Sequence, residues 1–202
     1  MPTLVYAPGA CSLSPHIVAR ELGMNIKLEK LDFATGKTET GNEIGKISPK
    51  GQVPILALDN GEKLTEGPVI VQYLADQKPE AGLLPKNGME RYRVQEWLNY
   101  ITSELHKSFS PLFNPKFPED AKKVVLENLK KKFTFLNERL AGKQYLMGDQ
   151  FTVADAYCFT VINWVNFLNI DISAYPNLVA YQQRVAQRPR VMDALKAEGL
   201  LQ

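Results

Sequence analysis

The spacing of apolar positions changes character once along the chain, near residue 80. Before that point, short runs alternate with helical stretches. "TLVYA" (residues 3–7) is an apolar run ended by Pro8 and Gly9, which predicts a buried strand. Leu13, Ile17, Val18 and Leu22 then fall at helical spacing with Gly23 as the stop, predicting a helix over about residues 13–23. "NIKLEKLDF" (residues 25–33) alternates imperfectly, as a half-exposed strand does. Residues 34–52 are polar and Gly-rich and read as loop with at most a short helix. "VPILALD" and "EKLTE" flank Asn60-Gly61, a strong hairpin signal, and "PVIVQYLADQ" follows as a helix with Pro68 in its first turn. Strand, helix, strand, hairpin and helix make an α/β layer on a mixed sheet.

"KPEAGLLPKNG" is a Pro- and Gly-rich connector, and every strong pattern beyond it is helical. The expected organisation is an α/β domain over residues 1–78, a linker over 79–88 and an all-α domain over 89–202. In the latter, Val94, Trp97, Leu98, Ile101 and Leu105 share one helix face, and Val125, Leu129, Leu136 and Leu140 mark a second helix over about 119–141. A third, over about 153–169, is apolar on nearly all sides and so belongs at the centre of the bundle. Two weaker helices, about 177–188 and 190–198, complete it, with no internal repeat.

Charge removes several function classes. Twenty-four basic against 22 acidic residues, interspersed, give no field to hold nucleic acid or an anionic membrane. No stretch approaches the roughly 18 consecutive apolar residues of a membrane span, and "MPTLVYAPGA" lacks the basic and apolar regions of a signal peptide. The two cysteines, Cys11 and Cys158, imply neither a disulfide framework nor a metal site. The expected setting is the reducing cytoplasm, and the expected ligand a small molecule.

The candidate chemistry begins at "YAPGACSLSPHIVAR". A thiol just before a helix meets unpaired N–H groups and roughly half a positive charge, which favours thiolate. Cys11-Ser12-Leu13-Ser14 is a redox dithiol spacing with its second thiol replaced, permitting a mixed disulfide with a small thiol but no internal one. The same residues also fit a small buried side chain beside a glycine turn. The isomer of Val53-Pro54 is open from the sequence alone. Around Glu66-Gly67-Pro68 the backbone N–H groups suit a carboxylate and Glu66 an ammonium, although an ordinary helix start has the same composition. "FTVADAY" is a structural capping box, Thr152 with Asp155. His16 reads as a helix-side residue without chemistry, and His106 as a surface histidine or a general base.

In their order and spacing, "PGACSLSPHIV", "SPKGQVP", "LTEGPVIVQYLAD", "RYRVQEWLNYITSELHK", "FTVADAY" and "RPRVMDALKAEGL" resemble the cytosolic glutathione transferases, specifically the bacterial beta class, over nearly the whole chain. The resemblance implies a thioredoxin-like N-terminal domain that binds glutathione, an all-helical C-terminal domain, and a homodimer with the ligand near the interface. It implies that Val53 before a cis Pro54 pairs with the cysteinyl part of glutathione, that Glu66 and Gly67 hold the γ-glutamyl end, and that Asn99, Ser103, Glu104, Leu105 and His106 complete the site. Some of these are expected to reach it from the partner subunit. Cys11 matches the class-defining cysteine, and Tyr6 and Ser12 match positions of catalytic hydroxyls in other classes. Where relatives carry a lysine for the glycine carboxylate, this chain has Gly36, with Lys37 beside it as the substitute.

The expected activity is conjugation of the glutathione thiolate to electrophilic, largely apolar substrates, with Cys11, Ser12 and His106 as catalytic groups and no metal. Tyr6, Phe109, Phe113 and Trp164 are candidates for the co-substrate wall, and the three C-terminal aromatics equally fit a bundle core. Alternatives on the same fold are a thiol-disulfide oxidoreductase or reductive dehalogenase using Cys11, and a non-catalytic binding protein.

Overall fold

A computed structural model describes residues 1–201. They form two compact units, Met1–Leu84 together with the segment from Arg188 onward, and Pro85–Gln187.

The first unit carries a five-stranded sheet in the order β3-β2-β1-β4-β5. Strands β1 (Thr3–Tyr6) and β2 (Lys27–Asp32) are parallel, joined by helix α1 (Leu13–Glu21). β4 (Ile55–Ala57) runs antiparallel to β1, and β5 (Lys63–Thr65) antiparallel to β4 across the Asn60-Gly61 turn. Helix α3 (Gly67–Asp76) packs against α1. Strand alternation puts Val5, Leu31 and Ile55 on the face met by Ile44 and Ile47 of the short helix α2 (Ile44–Ile47), while Leu4 and Leu56 are wholly buried on the other. Residues 34–52, expected as loop with at most a short helix, hold α2 and also a two-residue strand β3 (Lys37–Thr38), antiparallel to β2. Side chains fasten this segment: Glu29 accepts from Thr40 and Asn42.

The last helix differs from the expected division. α10 (Pro189–Ala197) belongs to the first unit, packed on α1 through Val191, Ala194 and Leu195. Arg188 forks onto Glu21 at 2.7 and 2.9 Å. His16, expected to be an idle helix-side residue, is fully buried here. Arg20 Nε donates to its Nε2 (3.2 Å), so its Nδ1 carries the proton and donates to Glu198 Oε1 (2.8 Å). Glu198 Oε2 in turn accepts the Gly9 N–H at 2.9 Å, anchoring the turn that carries Cys11.

In the second unit, α4 (Gly88–Tyr100) continues into a π-helical stretch, Ile101–His106, then α5 (Lys107–Phe109) and a 3₁₀ turn, Ser110–Phe113. α6 (Glu119–Arg139), α7 (Val153–Ile162), α8 (Trp164–Phe167) and α9 (Pro176–Ala186) follow. Every residue of α7 is buried, the central position its all-round apolar pattern predicts. The expected single helix over 153–169 is broken at Asn163, and Asn169, at φ +53°, turns the chain out. Trp97, assigned to the core face with Val94 and Leu98, is only half-buried, its ring meeting Tyr100 edge to face and Phe135 at a tilt. No helix among the described residues is long and apolar enough to cross a membrane.

Candidate active site

In the first unit, three separate segments converge. The turn after β1 holds Cys11, partly accessible, whose thiol donates to the Val53 carbonyl at 3.3 Å. The Val53-Pro54 bond is cis. A Cβ built on Gly67 would lie 3.8 Å from Ser14 Oγ and 3.9 Å from Pro54 Cγ, so the start of α3 packs beside both other segments. Glu66 precedes it with φ +70°, a left-handed conformation that costs a non-glycine residue about 1–3 kcal/mol. Its carboxylate is exposed and meets Lys50 Nζ at 2.5 Å.

Lys50 is a residue that sequence reasoning passes over. It lies inside the quoted "SPKGQVP", but its role depends on meeting Glu66 across 16 positions. A ligand ammonium at Glu66 has to share the carboxylate with Lys50, and a ligand carboxylate gains a cation there. Lys37 is exposed on β3, next to Gly36 at φ +66°.

Ser12 is a correction. It is fully buried, accepts the Ala7 N–H at 3.1 Å and donates to the Ala7 carbonyl at 3.2 Å. A hydroxyl has one hydrogen, and this one closes the turn after β1, so it is not offered to a ligand sulfur. Tyr6 is 7% exposed and neighbours His16, with ring centroids 6.2 Å apart, so it belongs to the core of the first unit and does not form a pocket wall. Burial, reinforced by Glu198 and Glu39, raises its pKa and keeps the phenol neutral.

In the second unit the π-helical stretch contains Ser103, Glu104, Leu105 and His106, with Asn99 exposed just before it. Such stretches are frequent at functional sites. Thr102, Ser103, Ser108 and Ser110 each donate to the carbonyl four residues back. One expectation fails here. Leu105 has no exposed surface, because it lies on the core face its spacing with Leu98 and Ile101 defines; it cannot touch a ligand. Glu104, half-exposed, pairs with Lys132 of its own chain.

His106 Nδ1 lies 2.7 Å from the Tyr157 hydroxyl, and its ring meets Trp164 edge to face at 4.8 Å. Trp164 also meets Phe109 and Phe113 edge to face, at 5.8 and 5.5 Å. Phe109 is wholly buried and is bundle core; Phe113, 48% exposed, is the accessible rim of this cluster, and Trp164 retains 6%. A cleft of about 630 Å³ elsewhere in this unit, lined by Arg93, Trp97, Tyr100, Phe135 and Arg139, contains none of the candidate residues.

A parallel β1-α1-β2 unit, a cis-proline strand and a hairpin leading into α3, followed in the chain by a helical unit, define a thioredoxin-like domain with an all-α partner. Family models agree: residues 9–77 match the glutathione S-transferase N-terminal domain and residues 100–189 its C-terminal domain. The chain belongs to the glutathione S-transferase family. It is 48% identical over 198 residues to glutathione S-transferase GstA of Escherichia coli O157:H7, covering 98% of both chains. Among solved structures, the beta-class enzyme of Sphingomonas chungbukensis shares 48% identity at a TM-score of 0.95, over 98% of this chain and 100% of that one. A sphingomonad glutathione S-transferase complexed with glutathione shares 45% at 0.94, with the same coverage.

Proposed function

We propose that this chain is a glutathione S-transferase that transfers alkyl or aryl groups from small, largely apolar electrophiles to the glutathione sulfur. The observation that carries the reading is the convergence of Cys11, Val53 and the Glu66-Gly67 helix start in the first unit. Glu66 takes the γ-glutamyl ammonium, while Lys50 and the N–H groups opening α3 take its carboxylate. The Val53 backbone pairs with the cysteinyl residue, and Lys37 serves the glycine carboxylate. The family resemblance adds Asn99, Ser103 and His106 as glutathione candidates, and Phe113 is the accessible candidate for the electrophile. Lowering the thiol pKa of glutathione requires donors aimed at its sulfur. With Ser12 committed to Ala7, the donors left are backbone N–H groups and, by the family resemblance, His106. The reaction is detoxifying conjugation in the cytoplasm.

Two measurements test this. Glutathione is expected to raise the melting temperature by mass action, and the protein to conjugate glutathione to a model aryl halide. Glu66→Ala is expected to abolish most of the thermal protection. Glu66→Gly is expected to lose protection equally but to be the more stable variant, because glycine adopts φ +70° without strain. Wild-type glutathione affinity in either variant sinks the γ-glutamyl assignment.

The acting species is expected to be a homodimer. α4 exposes Met89 and Tyr92 by 66% and 64%, apolar area of the sort a partner covers. Sedimentation at micromolar concentration is expected to give twice the chain mass, and a single-chain mass refutes the dimer.

A further inference from the structure

The place assigned to the γ-glutamyl end is short of donors for a carboxylate. Of the groups that open α3, Pro68 has no N–H, and those of Val69 and Ile70 both donate to the Glu66 carbonyl, at 3.0 and 2.9 Å. Among the described residues, the Gly67 N–H is left without an acceptor. Gly67 brings no side-chain hydroxyl, and the nearby Ser14 hydroxyl is committed to the Cys11 carbonyl at 2.9 Å. One N–H is a poor match for a charged group with two oxygens and about four acceptor positions.

Lys50 makes up the shortage within the same unit. Its Nζ donates to Thr65 Oγ1 at 3.0 Å and to Glu66 Oε1 at 2.5 Å. An ammonium has three hydrogens, so one remains for a ligand, and Thr65, accepting from Lys50, keeps its own hydroxyl hydrogen to donate. Lys50 and Glu66 are both half-exposed, so a small ligand reaches the pair without disturbing the core. In the ligand-free protein the Lys50 ammonium therefore holds the position at Glu66 that a ligand ammonium would take.

We propose that Lys50 makes this site selective for an α-amino acid zwitterion, through an exchange of ion pairs. The proposal rests on the γ-glutamyl assignment at Glu66 and gives that end of the ligand its specificity. The ligand ammonium competes with Lys50 for Glu66, and the ligand carboxylate, carried on the same carbon, takes the yielding Nζ as its counter-ion. An amine without the carboxylate breaks the Lys50–Glu66 pair and leaves Lys50 with nothing in return. An acid without the ammonium has to share Lys50 with Glu66, whose like charge repels it. Only the zwitterion leaves both residues paired.

Calorimetric titration of the full chain with three ligands tests this. They are glutathione, the analogue with 4-aminobutanoyl in place of γ-glutamyl, which lacks the α-carboxylate, and the analogue with glutaryl there, which lacks the α-ammonium. Lys50→Met keeps most of the stem and removes the charge, and at a half-exposed position it is expected to leave the melting temperature within about 2 °C. It is expected to weaken glutathione about 5- to 20-fold, the range of one charge-assisted hydrogen bond at such a site, and the glutaryl analogue similarly. The 4-aminobutanoyl analogue is expected to bind Lys50→Met at least as tightly as wild type, because it has no carboxylate to leave unpaired and Lys50 no longer competes for Glu66. Lys50→Arg is expected to recover most of the glutathione affinity. Equal weakening of glutathione and the 4-aminobutanoyl analogue overturns the proposal, since it detaches Lys50 from the carboxylate. Glutathione affinity lost in Glu66→Ala but unchanged in Lys50→Met refutes the exchange alone. Affinity unchanged in Glu66→Ala refutes the γ-glutamyl assignment, and the exchange falls with it.

Discussion

Asp155→Ala is expected to lower the apparent melting temperature by about 10 °C near neutral pH. Asp155 is fully buried, and its carboxylate accepts four hydrogen bonds. Oδ1 takes the Leu146 N–H (2.9 Å) and the Tyr181 hydroxyl (3.1 Å), and Oδ2 takes the Thr152 N–H (2.8 Å) and hydroxyl (2.9 Å). Truncation orphans them together. The hydroxyls can turn elsewhere, but the two buried N–H groups cannot, and each costs about 1–3 kcal/mol. Relief of the carboxylate's own burial offsets part of that, leaving a net loss of about 3 kcal/mol. For a chain of this size each kcal/mol moves the midpoint by about 2–4 °C.

The loss is expected to depend on pH. Burial pushes the Asp155 pKa up to about 6, against the pull of its hydrogen bonds from Leu146, Thr152 and Tyr181. With the folded value above the unfolded one, the native state binds the proton more tightly. The contribution of Asp155 is complete below the unfolded pKa and declines as pH rises through the folded one. The stability gap between wild type and Asp155→Ala is therefore expected to widen by up to about 3 kcal/mol as pH falls from about 7.5 to about 4. Denaturant titrations at several pH values measure it; a gap that narrows on acidification contradicts the burial argument.

The same capping box shows what a sequence discloses and what it withholds. Thr152 and Asp155 are three positions apart, so their reciprocal bonds are legible in "FTVADAY", as are β1, α1 and β2 in their apolar periods. Tyr181 lies 26 positions from Asp155 and Glu198 lies 182 from His16, and no local pattern announces such partners. The polar segment 34–52 conceals β3 for a related reason, since its pairing depends on side chains of β2. In the site, Glu66 and Cys11 are legible as a helix start and a thiol beside one, whereas the closure of Cys11 on Val53 and the pairing of Lys50 with Glu66 are tertiary facts. Leu105 teaches the converse. Its spacing with Leu98 and Ile101 places it in the core, and this outweighs its position amid the candidate residues Ser103, Glu104 and His106.

Cys11→Ala is expected to abolish covalent attachment of glutathione to the protein while reducing conjugation by much less than the roughly 100-fold that an essential electrostatic donor supplies. Only Cys11 is reachable: Cys158 is fully buried, and burial, with the nearby Asp155 charge, drives its thiol pKa far above the ordinary value. On exposure to oxidised glutathione, Cys11 loses its proton to solvent and its sulfur attacks one sulfur of the disulfide. A protein–glutathione disulfide forms and a glutathione thiolate leaves. Conjugation makes a different demand, a donor facing the glutathione sulfur. A bond that Cys11 makes in this structure needs the thiol form, whose hydrogen it directs to the Val53 carbonyl. Removing the thiol frees the carbonyl but takes away no donor aimed at a ligand. Intact-protein mass spectrometry after treatment with oxidised glutathione, beside conjugation kinetics, separates the two roles. An adduct persisting in Cys11→Ala moves the covalent chemistry to Cys158, and a 100-fold loss of conjugation makes Cys11 the activator of glutathione after all.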